Sequence, residues 1–301
     1  MTAALHPERI LKDLHSLWIA LGKEEGAAGG VLRACALTLI VIEEDGERAE
    51  PAGETLAELM RSHPSRTIVV RVRSRADTPP EARVFAQCWL PFGHRKQICS
   101  EQVEIAVGEA RLGDVAPVLL ALAAPDLPVV VWRRSGSVAR MAGIERVEAL
   151  AGKVILDSED CAEPCAVLSQ GVDPRRVSDL AWTRLTGIRQ AVAQALEGAR
   201  PGNIAEVRIS HAGVPIRAWY LAGWMTAALG WMPEDPRLFV EADGFDGVRL
   251  AGPGLSIRLR RSAERARSEA ELIGEELAIA GRDPVYERSL AAAIEIGRRF
   301  R

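Results

Sequence analysis

Apolar residues recur at helical spacing near the start of the chain. Ile10, Leu11, Leu14, Leu17, Trp18 and Leu21 follow His6, Pro7 and Glu8, which predicts an amphipathic helix over residues 7–21 with an acidic residue in its first turn. Residues 22–30, rich in Gly and Glu, read as a connector. The run 34–42 is continuously apolar and stops at Glu43-Glu44-Asp45-Gly46; it is short and β-branched toward its end, as a central strand would be. A short helix over 55–62 leads into three strand-like runs, 67–72, 83–90 and 97–107, with Pro79-Pro80 separating the first two. A helix over 115–122 passes through Pro125-Asp126-Leu127-Pro128 into a strand over 129–132, whose prolines lie where they cost no ladder hydrogen bond.

The pattern continues with a helix over 138–150 and a buried strand over 153–156 that stops at Asp157-Ser158. Helices over 179–196 and 216–229 bracket a strand at 205–210, and three strands fit within 237–260. A last helix over 284–300 ends a tail in which charged and small apolar residues alternate. Helices interleaved with apolar strands predict an α/β protein of two layered units in series, with mixed sheets flanked by helices; the expected domains are residues 1–160 and 161–301.

The strand at 97–107 has an unusual pattern. Ile98, Ser100, Gln102 and Glu104 fall on one face, and Cys99, Glu101, Val103 and Ile105 on the other, so Glu101 is the charged residue on an otherwise apolar side. A carboxylate there needs a partner, which Arg66, Arg95 or Arg133 can supply from a sheet end, either as a structural ion pair or as part of a ligand site. Upstream, Pro64 disfavours helix at His63 and puts Ser65 and Arg66 at the beginning of a strand, at a sheet edge, where Arg66 offers a bidentate fork to a phosphate or carboxylate. Farther along, Ser178 caps a helix on which Ala181, Leu185, Ile188, Val192 and Leu196 share a face. Asp179, Trp182 and Thr186 lie on its flank, so Trp182 is expected at a boundary, where an interface and a core edge fit equally well. His211 reads as an ordinary turn histidine at a strand end, and Trp219, Trp224 and Trp231 as packing residues.

With 301 residues, of which 48% are hydrophobic, the chain is long enough for two cores. Its 38 basic and 41 acidic residues leave a net charge of -3, which gives no field drawing it to nucleic acid or an anionic membrane. The polar first residues predict no export signal, and the uncharged stretch 218–233 falls short of the roughly 20 residues that span a bilayer. Five scattered cysteines are not a disulfide framework and point to a reducing cytoplasm. Cys161 and Cys165, beside acidic residues, read as loop cysteines with neither a metal nor a strong redox signature. No nucleotide loop, dinucleotide fingerprint, nucleophile elbow or zinc-helix motif occurs, so no cofactor or metal is expected.

Several separated motifs occur in a fixed order: His-Pro-Ser-Arg at 63–66, Cys-Ser-Glu-Gln-Val at 99–103, Pro-Asp-Leu-Pro-Val at 125–129, Asp157-Ser158 after a strand, and Asp-Leu-Ala-Trp-Thr-Arg-Leu at 179–185. Together they resemble the glucose-6-phosphate dehydrogenase assembly protein family, OpcA. The loop after Trp132 departs from that family, with Arg133-Arg134-Ser135-Gly136 where a second Trp and a Gly are expected. The resemblance implies a cytoplasmic, non-catalytic partner and activator of glucose-6-phosphate dehydrogenase, promoting its active oligomer in the oxidative pentose phosphate pathway. The residues expected to bind the partner or a phosphorylated metabolite are His63, Ser65, Arg66, Arg95, Ser100, Glu101, Gln102, Arg133, Asp179, Trp182 and Arg184. The alternative is a sugar-phosphate or nucleotide-binding enzyme, or a metabolite sensor, using arginines at strand ends.

Overall fold

The structure is a computed structural model that describes residues 5–23, 31–45, 52–74, 79–89, 97–161, 173–198, 201–260, 267–279 and 281–299. The chain forms two compact units, Met1–Leu156 with Glu269–Leu277, and Asp157–Ser268 with Ala278–Arg301.

The first unit is built on a sheet of β1 (Val31–Arg33), β2 (Leu37–Glu44), β3 (Ser65–Arg73), β4 (Glu81–Trp89), β5 (Gln97–Gly108), β6 (Val129–Arg133) and β7 (Lys153–Leu156). Its order is β1-β5-β3-β2-β6-β7, all parallel, with β4 antiparallel on β5. Helices α1 (Pro7–Leu21), α2 (Ala52–Ser62), α3 (Ala116–Leu122) and α4 (Ile144–Glu148) belong to this unit, as does a helix that returns from far along the chain, Glu269–Ala278. Interior parallel strands are covered on both faces, which is why β2 reads as one apolar run: Leu39, Ile40, Val41 and Ile42 are all buried, and Ile68, Val69 and Val70 of β3 lie beside them.

The second unit contains the short strand β8 (Val177–Asp179), helices α5 (Leu180–Thr183), α6 (Thr186–Ala195) and α7 (Ile216–Leu229), and strands β9 (Glu206–Ser210), β10 (Leu238–Glu241), β11 (Gly247–Gly252) and β12 (Leu255–Arg260). The returning helix of the first unit is α8, and α9 (Pro284–Arg299) closes the second. The strand order β10-β9-β11-β12 is mixed: β10 runs parallel to β9, and β11 and β12 are antiparallel. Apolar residues line α7 on nearly every side, and it packs closely against α9. Gly223 allows that approach, because a Cβ there would collide with the backbone carbonyl of Ser289.

The structure corrects several sequence expectations. Residues 138–150 do not form one helix: a 3-10 turn at Ser137–Arg140 is followed by Gly143, whose φ of 88° is left-handed, and only then by α4. The helix expected over 179–196 is broken between α5 and α6. There the Thr183 hydroxyl donates to the Asp179 carbonyl and the Thr186 hydroxyl to the Thr183 carbonyl, side-chain bonds that bend a helix. Ser65 and Arg66 begin β3 as expected, but β3 is an interior strand and not an edge. Neither β1 nor α8 is marked by the apolar periodicity, since β1 is three residues long and α8 lies in the alternating tail. Among the described residues no helix is long and apolar enough to cross a membrane.

Gly223→Ala should destabilise the second unit by about 1–3 kcal/mol, because overpacking against the α9 backbone outweighs the roughly 1 kcal/mol gained in helix propensity. Urea denaturation checks this, and an unchanged or raised midpoint would contradict the packing account.

Candidate functional site

Three buried polar clusters, two in the first unit and one in the second, take up Arg66, Glu101, Asp179, Trp182 and Arg184 of the residues selected from the sequence. The first is centred on Glu101. The β5 alternation turns this carboxylate inward, where it is 3% exposed. Arg66 Nε donates to Oε2 at 2.6 Å, Trp18 Nε1 of α1 donates to Oε1 at 2.6 Å, and Arg33 lies 2.8 Å from Oε1. Arg66 also donates through Nη1 to the Leu122 carbonyl at the end of α3, at 2.6 Å. One carboxylate is thus held by two guanidinium groups and an indole N–H, and it joins α1, β1, β3 and β5. Of the partners named from sequence, the structure selects Arg66. Arg95 and Lys96 lie outside the described residues.

Ser65 pairs its hydroxyl with Thr67 Oγ1 at 2.9 Å. Ser100 and Gln102 point to the face opposite Glu101, as strand alternation requires, and the Ser100 hydroxyl is buried with no hydrogen-bond partner among the described residues. His63, at the end of α2, lies 3.0 Å from the Ser62 hydroxyl through Nδ1.

The second cluster lies at the opposite, carboxyl ends of the strands. Connections from β2 lead to β3 on one side and β6 lies on the other, the kind of switch point where open α/β sheets bind ligands. Here that position is filled from within. Arg134, 4% exposed, donates to Glu43 of β2 at 2.8 Å and to Glu269 of α8 at 3.1 Å. Burial works against the Arg134 charge, and the hydrogen bonds it donates to Glu269 and Glu43 overcome it, raising its pKa above the ordinary value. The Ser135 hydroxyl accepts from the Glu44 N–H, Ser137 donates to the Glu44 carboxylate at 2.6 Å, and the Thr55 hydroxyl donates to Glu269. Arg133 is separate from Glu101, buried beside Glu148 at 3.2 Å. Sequence reasoning missed Arg134, Glu43 and Glu269. Two consecutive arginines after an apolar strand were a signal, but Glu269 lies 135 residues away.

The third cluster surrounds Asp179, which is wholly buried and caps α5 by accepting from the Ala181 N–H at 2.9 Å. It also accepts from the Ser158 N–H at 3.1 Å and from the Tyr220 hydroxyl at 2.7 Å. Burial, together with the charge of Asp157, pushes its pKa up to about 6 against the pull of these hydrogen bonds. The Tyr220 hydroxyl is pushed well above its ordinary value by burial and by the Asp179 charge. Arg184 grips Asp157 with both terminal nitrogens, at 2.9 and 2.5 Å. Trp182 is 4% exposed, packed at tilted ring angles against Tyr220 and Tyr286 with the Arg189 guanidinium 3.6 Å from its ring centre. Its place is the core of the second unit and not the boundary its helical position predicts.

Cys165 lies outside the described residues, and the Cys161 thiol donates to the Asp157 carbonyl. The spacing did not suggest the observed disulfide between Cys88 and Cys99, which face each other in the β4–β5 register. His211 donates from Nδ1 to the Gly213 carbonyl in a turn at 2.9 Å, since a carbonyl can only accept. Among the described residues no group of three or more His, Cys, Asp or Glu is arranged to hold a metal ion.

Residues 56–171 match the family model described as the glucose-6-phosphate dehydrogenase subunit N-terminal domain, and residues 175–290 match the corresponding C-terminal domain. The chain is similar to the putative OxPP cycle protein OpcA of Nostoc punctiforme, 25% identical over 189 residues; the match covers 58% of this chain and only 40% of that protein. Among solved structures it is similar to apo scyllo-inositol dehydrogenase from Lactobacillus casei, with a TM-score of 0.43 and 11% identity over 89% of this chain and 96% of that one. A Gfo/Idh/MocA family oxidoreductase from Vibrio cholerae gives a TM-score of 0.34 and 9% identity over 88% and 97% of the two chains. Structural likenesses this weak do not bear on activity.

Removing one partner of a buried ion pair leaves the others uncompensated, so Glu101→Ala should cost about 3–5 kcal/mol of stability, read from urea denaturation. A loss below 1 kcal/mol would show that solvent, not Glu101, neutralises Arg66. The raised pKa of Asp179 has a defined sign. Its folded state binds the proton more tightly than the unfolded chain, so this group adds stability as pH falls from about 6 to about 4, and that contribution is lost as pH rises through about 6. Subtracting the stability–pH curve of Asp179→Asn from that of the unaltered protein should leave this slope; coincident slopes would refute it.

Proposed function

The chain belongs to the glucose-6-phosphate dehydrogenase subunit family, OpcA, and from that premise we propose that it is a non-catalytic assembly factor and activator of glucose-6-phosphate dehydrogenase, favouring the enzyme's active oligomer in the oxidative pentose phosphate pathway. The observation that carries this reading is the match of both family domains, in chain order, across residues 56–171 and 175–290. A partner that binds the active oligomer more tightly than inactive forms shifts the population by that difference in affinity; a preference of about 1.4 kcal/mol shifts it tenfold. No bond need be made or broken by this chain. The reading includes a cytoplasmic location alongside the enzyme.

The arrangement of the strand-end arginines supports a partner over an enzyme. A sugar-phosphate site would need guanidinium groups open to the ligand, whereas Arg66 is held by Glu101 and the Leu122 carbonyl, Arg133 lies against Glu148, and Arg134 bridges Glu43 and Glu269. Replacing those internal partners with a phosphate would leave buried carboxylates uncompensated.

The test is a titration of the cognate glucose-6-phosphate dehydrogenase with this protein, following NADPH production and oligomer mass together under reducing conditions. Saturable activation accompanied by a mass shift is the expected result. If the folded chain in excess neither binds nor activates the enzyme, the assembly reading fails.

A further inference from the structure

The sheet of the second unit has one apolar face and one charged face. Val207, Ile209, Val248 and Leu250 are buried on the first. On the second, strand register lines up side chains across all four strands: Phe239 of β10 opposes Arg208 of β9, Arg208 opposes Arg249 of β11, and Arg249 opposes Arg258 of β12. In the next row on that face, Gly247 of β11 opposes Arg260. Directly opposed like charges destabilise a sheet, so three arginines abreast need anions or some other compensation.

That compensation is uneven across the face. Arg208 pairs with Glu206 at 3.1 Å and Glu241 at 2.7 Å, and Arg249 pairs with Asp243 at 2.9 Å. Toward the free edge the carboxylates run out. Arg258 and Arg260 are exposed, and their guanidinium groups lie 4.4 and 5.3 Å from the ring centre of buried Phe245, with Arg249 at 4.3 Å. Among the described residues neither has a carboxylate within ion-pair distance. Stacking on the ring restricts both side chains, so less freedom remains to be lost when an anion binds.

We propose that this face docks an acidic surface of the protein partner, with Arg258 and Arg260 receiving its carboxylates and exposed Phe239 supplying apolar contact at the opposite side. Arginine and aromatic side chains presented together are the residues that carry binding energy at interfaces. Interspersed Glu206, Glu241 and Asp243 repel a uniformly negative polymer, which favours a protein face of mixed charge over nucleic acid. From strand spacing and rise, the face measures about 20 Å each way, or about 400 Å², and is therefore roughly half of one side of a standard interface.

The proposal rests on the assembly-partner reading, and its test separates the two. The full chain and its Arg258→Glu/Arg260→Glu variant are each titrated against glucose-6-phosphate dehydrogenase at several salt concentrations, with circular dichroism to establish folding. We expect the variant to bind at least about tenfold more weakly, with a shallower salt dependence. Equal affinity and equal salt dependence would overturn the docking surface and leave the assembly function standing. Failure of the unaltered chain to bind would overturn both. If the double variant does not fold, Arg258→Gln, which changes one exposed side chain, is read by the same criteria.

Discussion

A charge taken out of water must be neutralised inside the protein, and Arg134 shows how much of the first unit follows from that requirement. Its guanidinium is 4% exposed, and the carboxylates it needs come from β2, through Glu43, and from α8, through Glu269. Satisfying one side chain therefore ties the central strand, the loop after β6 and a helix from the far end of the chain into a single arrangement. An unpaired Arg134 would cost several kcal/mol, comparable to the stability of a whole domain, so these elements depend on one another. The segment after Trp132 carries the pairing.

The same requirement operates at the other end of the strands and in the second unit. Glu101 draws α1, β1 and β3 together through Trp18, Arg33 and Arg66. Asp179 caps the start of α5 where it follows β8 and fixes Tyr220, while Arg184 answers Asp157. Residues that look chemically active in the sequence are thus largely engaged in holding the fold. Arg258 and Arg260 differ, since they are exposed and stacked on Phe245. Under the proposed assembly function, binding groups are expected on such an open face, because a protein partner arrives as a surface and not as a small molecule.

Reading by periodicity worked where structure is local. The helices α1, α7 and α9, the buried strand β2 and the alternation of β5 each carry their pattern within a few residues. It failed where tertiary effects prevailed. The apolar spacing over 179–196 ran unbroken, yet the helix is interrupted where Thr183 and Thr186 bond to backbone carbonyls, and Trp182 is buried in the core. The three-residue β1 owes its existence to pairing with β5, and nothing in Val31–Arg33 announces it. Glu101 was legible as a carboxylate in need of a cation, and Arg66 was among the cations named. Trp18 and Arg33, the other two members of that cluster, were not.

The sequence by itself determined the α/β class, most element positions and, through motifs in a fixed order, the family. These are encoded in side-chain spacing along one segment, where a period of two or of about 3.6 residues decides which face is buried. Only the tertiary structure decided which charges meet: Arg134 with Glu269, 135 residues apart, and the row of Arg208, Arg249 and Arg258. Those pairings depend on strand order and register, which bring distant residues together. The physical reason is that a buried ion takes whatever counter-ion the fold places within about 3 Å, and spacing along the chain does not specify that neighbour.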